Sequence, residues 1–378
     1  MWANIKLIKN TAAISTYIVL GLLIVLPLFL VPPLHVLAYE LPKVIVFYIS
    51  TLILFVFNFK NRKVKFSKFD LLLIFILGIS TISLAVNFSP ITLFGNLFRL
   101  QGTLTLWFLL LFAYTTKNFK IQIPQNLVLQ GLSSLLFLQF FLGATDAGRY
   151  AGTLGEPNAL GATVLFLWPL AFFAKVKNGH SFLLKVYPLV LVVTMLTLSG
   201  SKSALLGFAA QAMFYVLTRL KVAYKKSLVM VTVLIVTAIL AAPSFKISGN
   251  FYENRIAIWK TAAYAAFGSP IYGFGFGNIA KPFHQTAHYL SNSVQWTFVD
   301  SAHNIILDWW LQGGVLGLLA ISYLLATTTK NFSQNKNRQY LICFIGIFTV
   351  LVFNPASIVN LIAFWWLVGQ NARSELDI

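Results

Sequence analysis

Apolar residues along this chain come in long, nearly unbroken runs separated by short polar stretches. Neither the strict alternation of a half-buried strand nor the narrow stripe of a water-facing helix is present. The runs fall at 13–32, 43–59, 69–87, 102–116, 126–143, 158–174, 182–199, 203–218, 227–243, 304–327, 339–354 and 357–370. They predict an all-α, polytopic membrane bundle of about twelve transmembrane helices, because a bilayer core needs about 20 apolar residues per crossing. The last two runs are short and could form a re-entrant pair. No internal repeat is evident, which weakens the inverted-repeat architecture of secondary transporters.

Composition sharpens this picture. The 378 residues are 58% hydrophobic and only 10% charged, where a soluble domain carries about 25% charge. A soluble enzyme, a disordered chain and a disulfide scaffold are excluded. The lone Cys343 sits inside an apolar run, so no disulfide framework or cysteine metal site is available. The first run follows Lys6 and Lys9 but shows no small-residue cleavage site, and it is read as a retained anchor.

The net charge of +19 would suggest nucleic acid in a soluble protein. Here the positions of the cations matter more, and no nucleic-acid partner is expected. One alternating set of loops holds most of them, including Lys60, Arg62, Lys63, Lys65, Lys117, Lys120, Arg219, Lys221, Lys225, Lys226, Lys336 and Arg373. The other set keeps Lys43, Arg99, Arg149, Lys202, Lys246, Arg255, Lys260 and Lys281. The positive-inside rule assigns the first set and both termini to the cytoplasm of a plasma (inner) membrane protein. The outward set also carries His35, His284, His288 and His303 and most carboxylates, which look scattered along the chain. Its segment 244–303 is by far the longest connection and is the expected place for chemistry.

Within that segment, Arg255, Ile258, Trp259 and Ala262 have helical spacing. They predict an amphipathic helix over 252–267 lying at the membrane surface. Pro270 ends it, and Gly273, Gly275 and Gly277 allow a tight backbone-rich turn or a flexible loop. No strand precedes these glycines, so they are no dinucleotide fingerprint. His284 and His288 share a helix face, but Gln285 stands where a metalloprotease needs glutamate and no third ligand can be named. No metal and no cofactor are expected. His303 opens the next run, with Asp300 or Ser301 placed to cap it. An imidazole there is either a general base or an amphipathic residue seated at the interface.

Three further polar breaks face the same way: FRLQG with Arg99 and Gln101, GRYAGTLGEPNALG with Arg149, Glu156 and Asn158, and SGSKSALLG with Lys202. Each can be a polar turn, or in the case of Lys202 a snorkelling side chain. Together the cations around one imidazole suit a lipid-linked phosphate or pyrophosphate, whose departing charge Arg or Lys can stabilise.

With YELPK, FGNLFRLQG, GTLGEPNALG, LTLSGSKSALLG, ENRIAIWKTA, GSPIYGFGFGN and VDSAHNIILDWWLQGGVLG in this order, the chain resembles the O-antigen ligase and polymerase superfamily. These are membrane glycan transferases of the C-type glycosyltransferase architecture, and the likeness extends over most of the chain. The resemblance implies metal-independent, inverting transfer of a glycan from an undecaprenyl-pyrophosphate donor to a glycan, lipid or protein acceptor on the outer membrane face. It implies that His303 activates the acceptor hydroxyl and that Arg255 holds the pyrophosphate. Lys202 falls where the family has arginine, a departure, since lysine lacks the bidentate fork. Trp259, Asp300 and Asn304 complete the expected substrate-binding set. Ligase, polymerase and protein O-oligosaccharyltransferase activities remain open, and a flippase for lipid-linked glycans is the rival from another class.

Overall fold

The computed structural model describes residues 13–31, 39–59, 66–118, 121, 123–143, 148–173, 183–241, 255–286, 299–335 and 337–372. Lys6, Lys9, the cationic stretch 60–65, Lys120, Lys175, Lys177, Lys336 and Arg373 lie outside these residues. So do His35, Asp146, Lys246, Glu253 and His288.

Every apolar run read from the sequence contains a helix. In chain order these are α1 (Ala13–Leu28), then α2 (Leu41–Phe59), α3 (Lys68–Val86), a short α4 (Pro90–Phe94), α5 (Thr103–Thr116), α6 (Gln125–Leu142), α7 (Pro157–Phe172) and α8 (Leu183–Ser199). The remainder are α9 (Lys202–Arg219), α10 (Tyr224–Ala241), α11 (Arg255–Ala266), α12 (Ala280–Thr286), α13 (Ile305–Asn335), α14 (Arg338–Phe353) and α15 (Ile358–Ala372). No β-strand occurs among the described residues. Among the described residues, four helices are long and apolar enough to cross a membrane: Leu41–Asn58, Lys68–Val86, Gln125–Leu142 and Ile305–Gln334. Others are shorter. The 16 residues of α7 rise only about 24 Å, less than the roughly 30 Å of a hydrocarbon core.

The core is built from helices that are apolar all round. α7 is buried continuously from Ala159 to Ala171, and α14 and α15 are buried along almost their whole length. α14 packs on α7 and α9, α15 on α5, and α7 on α6 and α8. Outside this core, α3 exposes Leu71, Ile74, Phe75, Ile82 and Val86, and α10 exposes Val229, Val233 and Val236. Exposed apolar faces of that extent belong against lipid tails rather than water.

Broken backbone is satisfied inside the protein. Pro169 lies within α7 and has no N–H for the carbonyl four residues back. That carbonyl, on Leu165, instead accepts the amide of the fully buried Gln211 at 2.9 Å. The other Gln211 amide hydrogen goes to Ile342 O at 2.8 Å, and its carbonyl accepts Trp168 Nε1 at 2.8 Å. One side chain thus ties α7, α9 and α14 where no water is available.

A second break positions the site. α13 is kinked at Gly314, whose φ is 63°. The freed carbonyls of Leu311 and Gln312 accept the amides of Phe274 and Gly275 at 3.0 and 3.1 Å. In return, the Val315 amide donates to Pro270 O at 2.8 Å. The glycine run is therefore an ordered wedge docked into the kink, a correction to the flexible-loop alternative. A Cβ on Gly273 would lie 2.3 Å from the Gln312 backbone, and one on Gly314 would lie 2.3 Å from that of Ile271. Only glycine allows the two backbones to meet.

The helix expected over 252–267 is α11. Its buried face, Ile258, Thr261, Ala262, Ala265 and Ala266, packs against α12 and α13. The apolar face of this helix is therefore covered by protein.

Candidate active site

The turn entering α13 carries Asp300 to Asn304. The cap of this helix is Asn304, whose side-chain oxygen accepts the amides of Ile306 at 2.9 Å and Leu307 at 3.3 Å. This corrects the expectation that Asp300 or Ser301 caps it, and gives Asn304 a structural task. Asp300 is instead committed elsewhere.

Its partner is Arg99. The Arg99 guanidinium donates Nε to Asp300 Oδ2 at 2.7 Å and Nη2 to Glu156 Oε1 at 2.6 Å, and Nη1 reaches Ala356 O at 3.3 Å. Gln101 donates to the same Ala356 carbonyl at 2.7 Å. Burial opposes the charge on Arg99, but the two carboxylates more than offset it and hold the guanidinium protonated above its ordinary range. Glu40, buried just before α2, accepts the Ile358 amide at 2.9 Å. Burial raises its carboxyl to about 7, against the opposing pull of Lys43 and Arg99. Asp308 also feels Asp300 and Arg99. Among the described residues, Glu40, Glu156, Asp300 and Asp308, far apart in sequence, thus lie near one guanidinium. Arg99 is spent on organising them, and a phosphate would have to compete for its donors.

A second polar strip runs across the ends of α7, α8, α9, α11 and α14. Arg149 donates to Ser199 O at 2.9 Å and to Asn158 Oδ1 at 3.3 Å, and the same Asn158 oxygen accepts the Ser201 hydroxyl at 2.7 Å. Ser201 caps α9 and lies 3.2 Å from Ser203 Oγ. Asn354 Nδ2 donates to Ser203 Oγ at 2.5 Å, and Asn354 Oδ1 accepts Arg255 Nη2 at 2.8 Å. Arg149 and Arg255 therefore sit at the two ends of one chain of hydrogen bonds. Lys202 lies between Ser201 and Ser203 in sequence, yet its side chain is exposed. The Ser199 carbonyl and the Ser201 and Ser203 hydroxyls are in the strip, and the lysine head is not.

His303 is buried (3% exposed) and has a left-handed backbone, φ 53°. Burial, with the positive charges of Arg255 and then Arg99 added to it, lowers its pKa to about 3. The imidazole is neutral at physiological pH. A cavity of about 100 Å³ opens beside this turn, lined among others by Arg99, Gln101, Asp300, Asp308, Trp309 and Asn354. Trp259 packs on Phe353 with ring centroids 6.2 Å apart, at the α14 end that bears Asn354. Of the residues expected from sequence, the structure gathers His303, Arg255, Arg99, Gln101 and Asp300, links Arg149 and Asn158 through the strip, and leaves Lys202 outside. Asn354, Ser201, Ser203 and Asp308 were missed. Among the described residues no group of three His, Cys, Asp or Glu side chains could hold a metal ion.

Fold and site together describe an integral membrane protein with a polar, cation-bearing centre at helix ends of an apolar bundle. Residues 187–322 match the family model described as O-antigen ligase. This segment contains Lys202, Arg255, Trp259, Asp300, His303 and Asn304. A protein of Acinetobacter baylyi named ComP-specific O-oligosaccharyltransferase is 23% identical over 251 residues, covering 62% of this chain and 42% of that protein. The chain thus spans less than half the length of that relative. The two findings support the O-antigen ligase superfamily.

Proposed function

We propose that this protein is an outward-facing, metal-independent, inverting glycan transferase. It moves an oligo- or polysaccharide from undecaprenyl pyrophosphate to an acceptor hydroxyl. The observation that carries the reading is the neutral, buried imidazole of His303 held within electrostatic reach of Arg255 and Arg99. A base must be unprotonated to act, and burial first, with the charges of Arg255 and Arg99 added to it, keeps this one so. As the acceptor oxygen attacks the anomeric carbon, its proton passes to the imidazole. The bond from that carbon to the pyrophosphate breaks, and the leaving group keeps the electron pair. Arg255 offers that developing charge a guanidinium, and the resulting imidazolium is short-lived beside it.

The acceptor is best read as a protein hydroxyl, because the relative's name describes an O-oligosaccharyltransferase. Lipid A core and a growing repeat polymer are the other acceptors the superfamily suggests. The glycans of a deletion strain separate these: lost glycoprotein, lost surface attachment and lost polymer length are different outcomes. Transfer itself is tested by substitution. His303→Ala should lower the rate by about 10²–10⁴-fold and Arg255→Ala by about 10²–10³-fold, each at normal protein abundance. Full activity in either variant would overturn the mechanism. Movement of lipid-linked glycan across liposomes without product would favour a flippase.

A further inference from the structure

The geometry points to Asp308 as the residue that positions His303, acting through Ser301; this rests on His303 being the base. Asp308 lies in the first turn of α13, where the helix dipole alone would favour a carboxylate. Its oxygens are used more specifically than that. Oδ1 accepts the Ala302 amide at 2.7 Å, and Oδ2 accepts the Ser301 hydroxyl at 2.8 Å. The Ser301 oxygen in turn accepts the His303 amide at 2.9 Å. The Asp308 amide closes the loop by donating to Asn304 O at 2.8 Å.

These bonds act on a backbone that would not choose its conformation unaided. A non-glycine residue in the left-handed region costs about 1–2 kcal/mol, and His303 is there with φ 53°. Relaxation to the right-handed region would redirect its Cα–Cβ bond and carry the imidazole away from Arg255. Ser301 is 5% exposed, so water cannot replace what Asp308 supplies. A displacement of about 1 Å in a reacting group can cost about 10²-fold in rate. Asp308 also lines the cavity, so the rival explanation is direct contact with substrate.

The two are separated by kinetics on the full chain in membranes. Membranes of a deletion strain expressing each variant supply the acceptor, and lipid-linked glycan extracted from that strain is the donor probe. Rates are normalised to folded protein. Asp308→Ala and Ser301→Ala should each lower the maximal rate about 10–100-fold, with the half-saturating donor concentration within about twofold of wild type. The double variant should be no slower than the worse single one, because both remove the same support. Asp308→Asn keeps one acceptor oxygen and should recover part of the rate. Ser301→Ala removes a single hydroxyl and serves where Asp308→Ala accumulates poorly. A wild-type maximal rate in Asp308→Ala, a raised half-saturation at unchanged rate, or additive losses would each overturn the assignment. Full activity of His303→Ala would instead sink the base assignment, a separate result.

Discussion

At His303 the same burial that keeps the imidazole neutral imposes a cost on folding. The unfolded chain takes up a proton near pH 6.5, while the folded protein resists until about 3. Between those values the unfolded state binds more protons, so stability falls as pH falls below 6.5. At pH 5.5 this amounts to about 1.4 kcal/mol. The variant His303→Gln should lose less thermal stability than wild type when a detergent-solubilised sample is taken from pH 7.5 to 5.5. An equal loss in both would mean the histidine is not buried as described. Arg99 gives a complementary test. Arg99→Met leaves Asp300 and Glu156 facing each other without a cation and should cost about 2–4 kcal/mol, and adding Asp300→Asn should restore part of it. Lys202→Arg should keep transfer at or above the wild-type rate, because the exposed head can gain a fork without disturbing the serines beside it. The sequence could reveal His303, Arg255 and Arg99, since charges beside glycines stand out between apolar runs. It could not reveal Asn354 or Asp308. Asn354 meets Arg255 at a separation of 99 positions in sequence, and Asp308 sits inside a run whose apolar neighbours make it look like the end of a span.

At the scale of elements, the helices were legible because each hydrophobic run is both long and uninterrupted. The short α4 was not, having too few residues to show a period, whereas the helix expected to carry His284 is α12; His288 lies outside the described residues. α13 continues to Asn335, past the end of its apolar run at 327, since helix formation does not stop where hydrophobicity does. The glycine wedge was half legible: the residues showed that the backbone could turn sharply, and only the kink in α13 shows what it turns against. This difference is measurable. Gly143 has φ 74° with no described residue within 4 Å of an added Cβ, whereas at Gly314 the Cβ would meet the Ile271 backbone. Gly143→Ala should therefore cost about 1 kcal/mol of strain and leave yield intact. Gly314→Ala cannot be relieved by a rotamer change and should sharply reduce folded protein, read by gel filtration of a fluorescent fusion. Similar behaviour of the two variants would show that the wedge and the kink do not pack as described.

For the whole molecule, two asymmetries coincide. Charge is distributed so that one set of loops is basic, and the polar centre lies at the end of the bundle bearing Arg99, Arg255 and His303. By the positive-inside rule we propose that this centre faces outward, where a lipid-linked donor presented outside the cell could reach it. The chain offers a clean test of this, because its single cysteine, Cys343, is fully buried in α14 and should stay silent to labelling. Leu97 is 70% exposed and lies two residues from Arg99. Leu220 is equally exposed and follows α9, which carries the chain about 27 Å away from Ser201. A cysteine introduced by Leu97→Cys should react with a membrane-impermeant maleimide on intact spheroplasts. One introduced by Leu220→Cys should react only after the membrane is opened. The reverse pattern would turn the site toward the cytoplasm and remove the outward-facing reaction. Labelling of both in intact cells would mean that the two ends are not separated by a bilayer at all.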